Sequence, residues 1–135
     1  MKKMIKFISL CMVIIAMSAV GFSASASSSN PVSSDITASN VATNLYKNNK
    51  LVGRGSDVKT TVGYKATWVR ASSEVQKYPS GSTFIANDSA TANNAKSARY
   101  IRAKEGYTGK ITIYGAHSVR NNGKTAIKYT TKSNV

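Results

Sequence analysis

Apolar and polar residues alternate in several short segments of this chain, and the alternation predicts β-strands. In the segment "VGYKATWVRA" (62–71), Val62, Ala66 and Trp68 fall on one face, while Lys65 and Val69 fall on the other. Successive side chains of a strand point to opposite sides of a sheet, so this two-residue period is typical of a half-buried strand. Shorter runs with the same pattern occupy residues 83–86 and 98–104.

Turn-forming residues separate these segments at regular intervals. Asn48-Asn49 divides residues 44–52 into two short strands, with Gly53 and Gly55 at the end of that unit. Residues 78–81, "YPSG", predict a second turn, and Glu105-Gly106 predicts a third. Several short strands between turns favour an all-β fold, a small antiparallel β-sandwich or a partly open barrel that forms a single domain.

Residues 87–97, "NDSATANNAKS", interrupt the strand pattern because they include no large apolar side chain. The segment predicts a long surface loop or one weak helical turn. Loops of this kind often carry binding residues, so residues 87–97 are a candidate probe for a partner protein.

The last part of the chain, residues 106–132, predicts a β-hairpin whose register depends on the length of its turn. A two-residue Asn122-Gly123 turn would place lysines on the face that holds Ile111 and Ile113. A three-residue turn, 121–123, removes this conflict, because a slip of one residue moves every side chain to the other face. We therefore predict the three-residue turn. The pairs that follow from it are Arg120 with Lys124, Val119 with Thr125, His117 with Ile127, Gly115 with Tyr129, and Ile113 with Thr131.

That register predicts one apolar hairpin face and one cationic face. With two basic residues of the preceding strand, the cationic set is a candidate polyanion-binding site. Its members are Lys110, Tyr114, Arg120, Lys124, Lys128, Lys132, Arg102 and Lys104. Cations neutralise a polyanion while aromatic rings stack on it or lie at an interface. The alternative is an ordinary solvated strand face, on which lysines protect an exposed edge from aggregation.

The N-terminus has the pattern of a secretory signal peptide. Lys2, Lys3 and Lys6 precede an uncharged apolar run from 7 to 22, and Ala24-Ser-Ala26 suits cleavage after Ala26. A retained membrane anchor is the alternative, but the run is shorter than the roughly 20 residues of a spanning helix. The sequence thus predicts a secreted, extracellular protein with a signal at 1–26, a flexible Ser/Asn-rich arm at 27–43, and a β-sandwich domain at 44–135.

Charge is the strongest compositional feature of the predicted mature chain. Three of the 19 basic residues lie in the signal, so residues 27–135 keep 16 basic against five acidic residues, a net charge of +11. The sole cysteine, Cys11, also lies in the signal, which leaves a disulfide-free protein. Such a charge steers association with anions, although charge can also serve solubility alone. The predicted partners are an anionic cell-wall polymer or a membrane surface, with extracellular DNA as a further polyanion.

Residues that could support catalysis are sparse. His117 is the sole histidine, and alternation places it on the inward face, where a packed core residue is expected. No nucleophile elbow, phosphate-binding loop or metal-ligand cluster is present in the sequence. We therefore predict no enzyme activity, no metal and no cofactor. Trp68, the sole tryptophan, is expected in the core, with a stacking platform for a sugar or a base as the alternative.

Together these features predict a secreted cationic β-protein that binds the anionic bacterial envelope, and a bacteriocin-like antibacterial is one form of that activity. Two alternatives remain open. The strand "KITIYGA" (110–116) combines β-propensity with low charge and could support a self-associating matrix protein. A secreted inhibitor of an envelope protein would use residues 87–97. The sequence leaves the oligomeric state open.

Overall fold

A computed structural model describes residues 30–135, so the predicted signal peptide and the start of the predicted arm lie outside the described residues. The described chain contains one short 3-10 helix, Ser33–Asp35, followed by antiparallel strands. The strands are β1 (Thr37–Lys47), β2 (Lys50–Lys77), β3 (Thr83–Glu105), β4 (Ile111–Asn121) and β5 (Lys124–Lys132). The predicted all-β, single-domain fold is confirmed as one strongly curled, open half-barrel.

The long strand β2 organises the sheet. It pairs with β3 along almost its whole length, while its first half pairs with β1 and its second half pairs with β4. Strand β5 pairs with β4 and forms an edge of the sheet. The pairing between β2 and β3 is interrupted between Thr61 and Ala66, and β2 bends at this irregularity. Local disruption of a ladder increases bending and twist, which lets the two halves of β2 face each other.

Small side chains fill the space between the two halves of β2. The Ser56 and Ser73 hydroxyls are 2.7 Å apart across the buried interior, and the Thr60 hydroxyl donates to the Arg70 carbonyl at 2.8 Å. Apolar residues pack around these polar bridges in two clusters. One contains Ile36, Val62, Ala66, Val69, Ala92, Ala95, Ala98, Val119 and Ala126; the other contains Val58, Ala71, Val75, Phe84, Ile85, Tyr100, Ile111 and Ile113.

Several predicted boundaries were wrong because the strands are longer than the apolar pattern indicates. Residues 87–97 are not a loop; they belong to β3, where alanines such as Ala92 and Ala95 face the core in place of large apolar residues. Residues 37–43 of the predicted arm belong to β1. Gly53 and Gly55 do not end a unit but lie within β2. The turn at Asn48-Asn49 is confirmed, with both residues at positive φ.

The predicted hairpin register was wrong by one residue. Asn121 pairs with Lys124 and Val119 with Ala126 around a two-residue turn, in which Asn122 has φ 50° and Gly123 has φ 71°. Two successive residues at positive φ form the turn whose twist best matches a hairpin, and Asn-Gly is its preferred sequence. Lysines of β5 can occupy the inner face because β5 is an edge strand whose lysine side chains remain exposed. Thus Gly115 faces Thr130, whereas Tyr129 faces Ala116 and His117 faces Lys128.

Trp68 is half-buried and lies outside both core clusters, so its predicted core position was wrong. Val62 and Ala66 both face the core, but the alternation of β2 shifts by one residue between Ala66 and Val69, so Val69 takes the inner position while Trp68 points outward. The Arg70 guanidinium lies 4.5 Å from the centre of the Trp68 ring. This cation–π contact covers one face of the Trp68 ring.

Replacement of Gly55 by Ala tests the close approach of β2 and β3. A Cβ atom at this position would overlap the backbone carbonyl oxygen of Arg102, which cannot move without breaking the ladder. We expect Gly55→Ala to lower the free energy of unfolding by about 3 kcal/mol, measured by urea denaturation. Gly63→Ala is the matched control, because its Cβ would meet nothing within 4 Å and a strand interior favours Ala over Gly. Equal effects of the two substitutions would contradict this packing.

Candidate anion-binding surfaces

The structure divides the predicted polyanion-binding residues among four places. Lys124, Lys128 and Lys132 share the inner side of β5, because each lysine is four positions from the next and the side-chain period is two. All three are exposed. At about 3.3 Å per residue, their backbone positions are about 13 Å apart along the edge strand. We call this row the β5 lysine row.

Tyr114 and Arg120 lie on the opposite, outer side of the sheet. Arg120 pairs with Thr125 across the hairpin and donates from Nη1 to the Thr125 hydroxyl at 2.9 Å, so the predicted opposition of Arg120 and Lys124 is absent. Tyr114 is 44% exposed beside two further apolar residues of this side, Ile127 at 46% and Tyr129 at 74%. These three residues form the outer apolar patch. Strand β5 therefore has cations on one side and apolar side chains on the other.

Arg102 and Lys104 lie outside the hairpin, at the end of β3. Lys104 is directly opposite Arg54 of β2, and Arg102 is opposite Ser56, so these three cations share the inner face. Lys104 donates to the Phe84 carbonyl at 3.3 Å and lies over the Phe84 ring at 5.4 Å. Lys110 is exposed immediately before β4. The predicted set is therefore not one continuous surface.

Two aspartates pair with arginines. Arg99 donates from Nε to Asp57 at 2.8 Å and makes a second, shorter bond to the same carboxylate. Arg102 lies 3.9 Å from Asp88, a longer and weaker contact. Five acidic residues cannot neutralise 16 basic ones, so most of the positive charge of residues 27–135 has no acidic neighbour of its own.

His117 is fully buried and connects four strands through hydrogen bonds. Its Nδ1 lies 2.9 Å from the Thr60 hydroxyl, and its Nε2 lies 2.9 Å from the Thr130 hydroxyl. The Asn40 side-chain amide donates to the same Thr130 oxygen at 3.1 Å and to the Ile113 carbonyl at 3.2 Å. The predicted inward position of His117 is confirmed, although its partners are polar groups that the sequence did not reveal.

The partners of His117 determine its tautomer. The Thr60 hydroxyl has one proton, which it donates to the Arg70 carbonyl, so Thr60 must accept from Nδ1–H. Nε2 then accepts from the Thr130 hydroxyl, which in turn accepts from Asn40. Burial lowers the pKa of His117, the Lys59 backbone opposes this shift, and the nearby Lys128 charge lowers the pKa further. The imidazole is therefore held neutral.

Arg54 and Lys77 were missed as functional candidates. Arg54 joins Arg102 and Lys104 because β2 and β3 pair, whereas 48 residues separate Arg54 from Arg102 in the sequence. The Lys77 ammonium lies 5.2 Å from the centre of the Tyr107 ring. The two-residue alternation could have indicated that Arg54 shares the inner face with Ser56 and Val58. It could not have indicated which cations lie beside Arg54 on the paired strand.

No group of three or more metal-ligating side chains converges within residues 30–135. In the same range, the structure contains no helix with the length and hydropathy needed to cross a bilayer. No family model matches the chain, and comparisons with curated proteins and with solved structures also find no match. The functional interpretation therefore depends on the surfaces of this chain alone.

The neutral state of His117 predicts a stability that depends on pH. A depressed folded pKa means that the unfolded chain binds the proton more readily, so the contribution is complete above the unfolded pKa of about 6.5. We expect the free energy of unfolding to fall as the pH decreases from 6.5 towards the folded pKa, because the imidazolium would leave the Thr130 hydroxyl proton without its acceptor. Urea denaturation at several pH values measures this slope.

His117→Gln is the control for this prediction. The variant should lose about 1–3 kcal/mol at pH 7, since buried hydrogen-bond partners are left unpaired, and its stability should no longer change between pH 6.5 and 5. The chain has one histidine, so another histidine cannot produce the slope. A wild-type protein that gains stability on acidification over this range would show that His117 is not held neutral.

Proposed function

We propose that this protein is an exported cationic β-protein that binds anionic polymers or lipids of the bacterial envelope through strand β5. The observation that carries the proposal is the β5 lysine row. Lys124, Lys128 and Lys132 are exposed at regular intervals along an edge of the sheet. A linear polyanion lying along this edge would meet each cation in turn. A bacteriocin-like antibacterial action is one consequence of such binding.

The fold supports this function because three aspartates are engaged by other groups. Asp35, next to the Ile36 carbonyl that accepts from Lys128, accepts from the Val32 N–H and the Tyr64 hydroxyl. Asp57 is engaged by Arg99, and Asp88 lies near Arg102, both distant in register from β5. Lys128 donates to the Ile36 carbonyl at 3.2 Å, which positions its ammonium without neutralising it. The positive field along β5 is then available to an external anion, and its attraction should be screened by salt.

The second side of β5 supports contact with a lipid surface in particular. Ile127 and Tyr129 are exposed on the outer side of the strand that carries the lysines inside. Tyrosine favours the boundary between water and the hydrocarbon layer, where its ring is buried and its hydroxyl stays hydrated. An edge with lysines on one side and Ile and Tyr on the other suits a surface of anionic head groups.

Sedimentation of residues 27–135 with anionic vesicles, bacterial cell walls and duplex DNA tests the proposal. We expect binding to vesicles or walls at low salt that weakens at least tenfold at high salt. Reversal of Lys124, Lys128 and Lys132 to Glu should abolish that binding. The matched control reverses Lys47, Lys50 and Lys59, which are exposed on β1 and β2, so both variants lose six units of charge.

The two variants separate a binding site from a general effect of charge. Retained binding in the control and lost binding in the β5 variant support the lysine row. Equal losses in both variants, or binding that salt does not weaken, would overturn it. Preference for DNA over both envelope preparations would replace the envelope with nucleic acid as the partner. Circular dichroism and urea denaturation confirm that each variant folds.

Self-association is the second candidate function, and the outer apolar patch favours it. Tyr114, Ile127 and Tyr129 leave a contiguous apolar area exposed next to a strand with a free edge. Free strand edges add to other strands unless charge or twist prevents it. The partner-protein alternative assigned the contact to a loop at residues 87–97, and these residues form part of β3 instead.

Analytical ultracentrifugation distinguishes self-association from envelope binding by a monomer. If the protein assembles through the patch, its sedimentation coefficient should rise with concentration, and the double substitution Ile127→Thr, Tyr129→Thr should restore the monomer. Threonine preserves β-propensity, so the strand itself should persist. A monomer at all concentrations and salts would exclude this second function.

A further inference from the structure

One end of the half-barrel is lined by cations that the β5 lysine row does not include. The first residues of β2 and the last residues of β3 lie side by side there, and Arg54 is directly opposite Lys104. Arg102 lies two residues away on the same face of β3. Lys104 reaches across the interior to the Phe84 carbonyl near the start of β3. We call Arg54, Arg102 and Lys104 the basic mouth.

The guanidinium groups of this mouth are incompletely paired. The Nε atoms of Arg54 and Arg102 are both buried, and neither has a hydrogen-bond acceptor among residues 30–135. The other three arginines differ: Arg70 donates from Nε to the Thr91 hydroxyl at 2.9 Å, Arg99 donates from Nε to Asp57, and Arg120 donates from Nη1 to Thr125. A buried N–H without an acceptor is costly, and a charged group makes the cost larger.

We propose that the basic mouth is a binding site for a single phosphate group, distinct from the β5 lysine row. An arginine presents a planar fork of N–H donors that matches the oxygens of phosphate, and two neighbouring arginines can hold one tetrahedral anion from two sides. Arg54 and Arg102 are diagonal neighbours on adjacent paired strands, so their forks reach a shared volume. Lys104 adds a third donor, opposite Arg54.

The charge of the surroundings favours an anion at this place. Asp88 is the acidic residue that faces the mouth, and its carboxylate already accepts from the Tyr100 hydroxyl at 3.3 Å while it lies 3.9 Å from Arg102. One partly engaged carboxylate cannot balance three cations. Lys77, which lies over Tyr107 beside Phe84, adds further positive charge at this end of the half-barrel.

Titration with inorganic phosphate, followed by NMR of the arginine Nε–H groups, tests this site in the folded protein. We expect the Arg54 and Arg102 signals to shift along saturable curves with a common dissociation constant. The Arg70 and Arg99 signals serve as internal references, because protein oxygens already occupy their Nε–H groups. Sodium chloride at matched ionic strength controls for screening.

The double substitution Arg54→Gln, Arg102→Gln provides the second test. It should weaken phosphate binding at least tenfold and remove the rise in melting temperature that phosphate confers on the wild type. Lys47→Gln, Lys59→Gln is the control with the same change in charge and should bind phosphate normally. The variant with Lys124, Lys128 and Lys132 reversed should also retain the saturable shifts, since the two sites are separate.

Equal shifts of all the arginine signals, or shifts that chloride reproduces, would mean an adventitious ion only and would overturn the proposal. An absence of saturable shifts at Arg54 and Arg102 would overturn it as well. Because this readout does not involve vesicles or cell walls, it can fail while envelope binding through β5 succeeds, and the reverse is equally detectable.

Discussion

The fold depends on the hydrogen bonds that join His117 to Thr60 and Thr130 across the interior of the half-barrel. These bonds connect the first half of β2 to β4 and β5, and Asn40 extends the connection to β1. The donors run in a single direction, from the Asn40 amide through Thr130, His117 and Thr60 to the Arg70 carbonyl. A neutral imidazole with its proton on Nδ1 is the state that pairs both ring nitrogens and both threonine hydroxyls, whereas the buried Asn40 Oδ1 has no hydrogen-bond partner among residues 30–135. Buried polar groups that are paired by directional hydrogen bonds favour one arrangement of the strands over others.

This connection can form only because the interior is thin. The two halves of β2 approach closely enough for Ser56 and Ser73 to share a hydrogen bond, and the surrounding core consists mainly of alanine, valine and isoleucine. At Gly115 a Cβ atom would lie 3.0 Å from the His117 Nε2, in the space where Thr130 reaches the ring. A larger side chain there would separate β5 from the imidazole. Small residues are thus as necessary to this fold as large apolar ones.

The same geometry distributes positive charge over separate surfaces. The edge position of β5 leaves its lysines exposed on the inner side, and the pairing of β2 with β3 collects Arg54, Arg102 and Lys104 at one end of the half-barrel. Lys128 belongs to both the lysine row and the polar interior, since it lowers the pKa of His117 and donates to Ile36. Binding of an anion at Lys128 would weaken the positive field at the imidazole. The β5 lysine row and the centre of the fold are therefore electrostatically connected.

The sequence by itself determined the all-β class, the single domain, the turns at Asn48-Asn49 and Tyr78–Gly81, and the inward position of His117. Alternation and turn chemistry act between neighbours in the chain, so these features can be predicted locally. The tertiary structure decided the hairpin register and the extent of β3. Asn122-Gly123 favours the two-residue turn. An edge strand can keep lysines exposed on its inner side, but the hairpin sequence alone does not show that β5 is an edge strand. The tertiary structure also decided that Trp68 points outward and that Arg54 lies near Arg102. An irregularity in β2 sets the first position, and the pairing of distant segments sets the second.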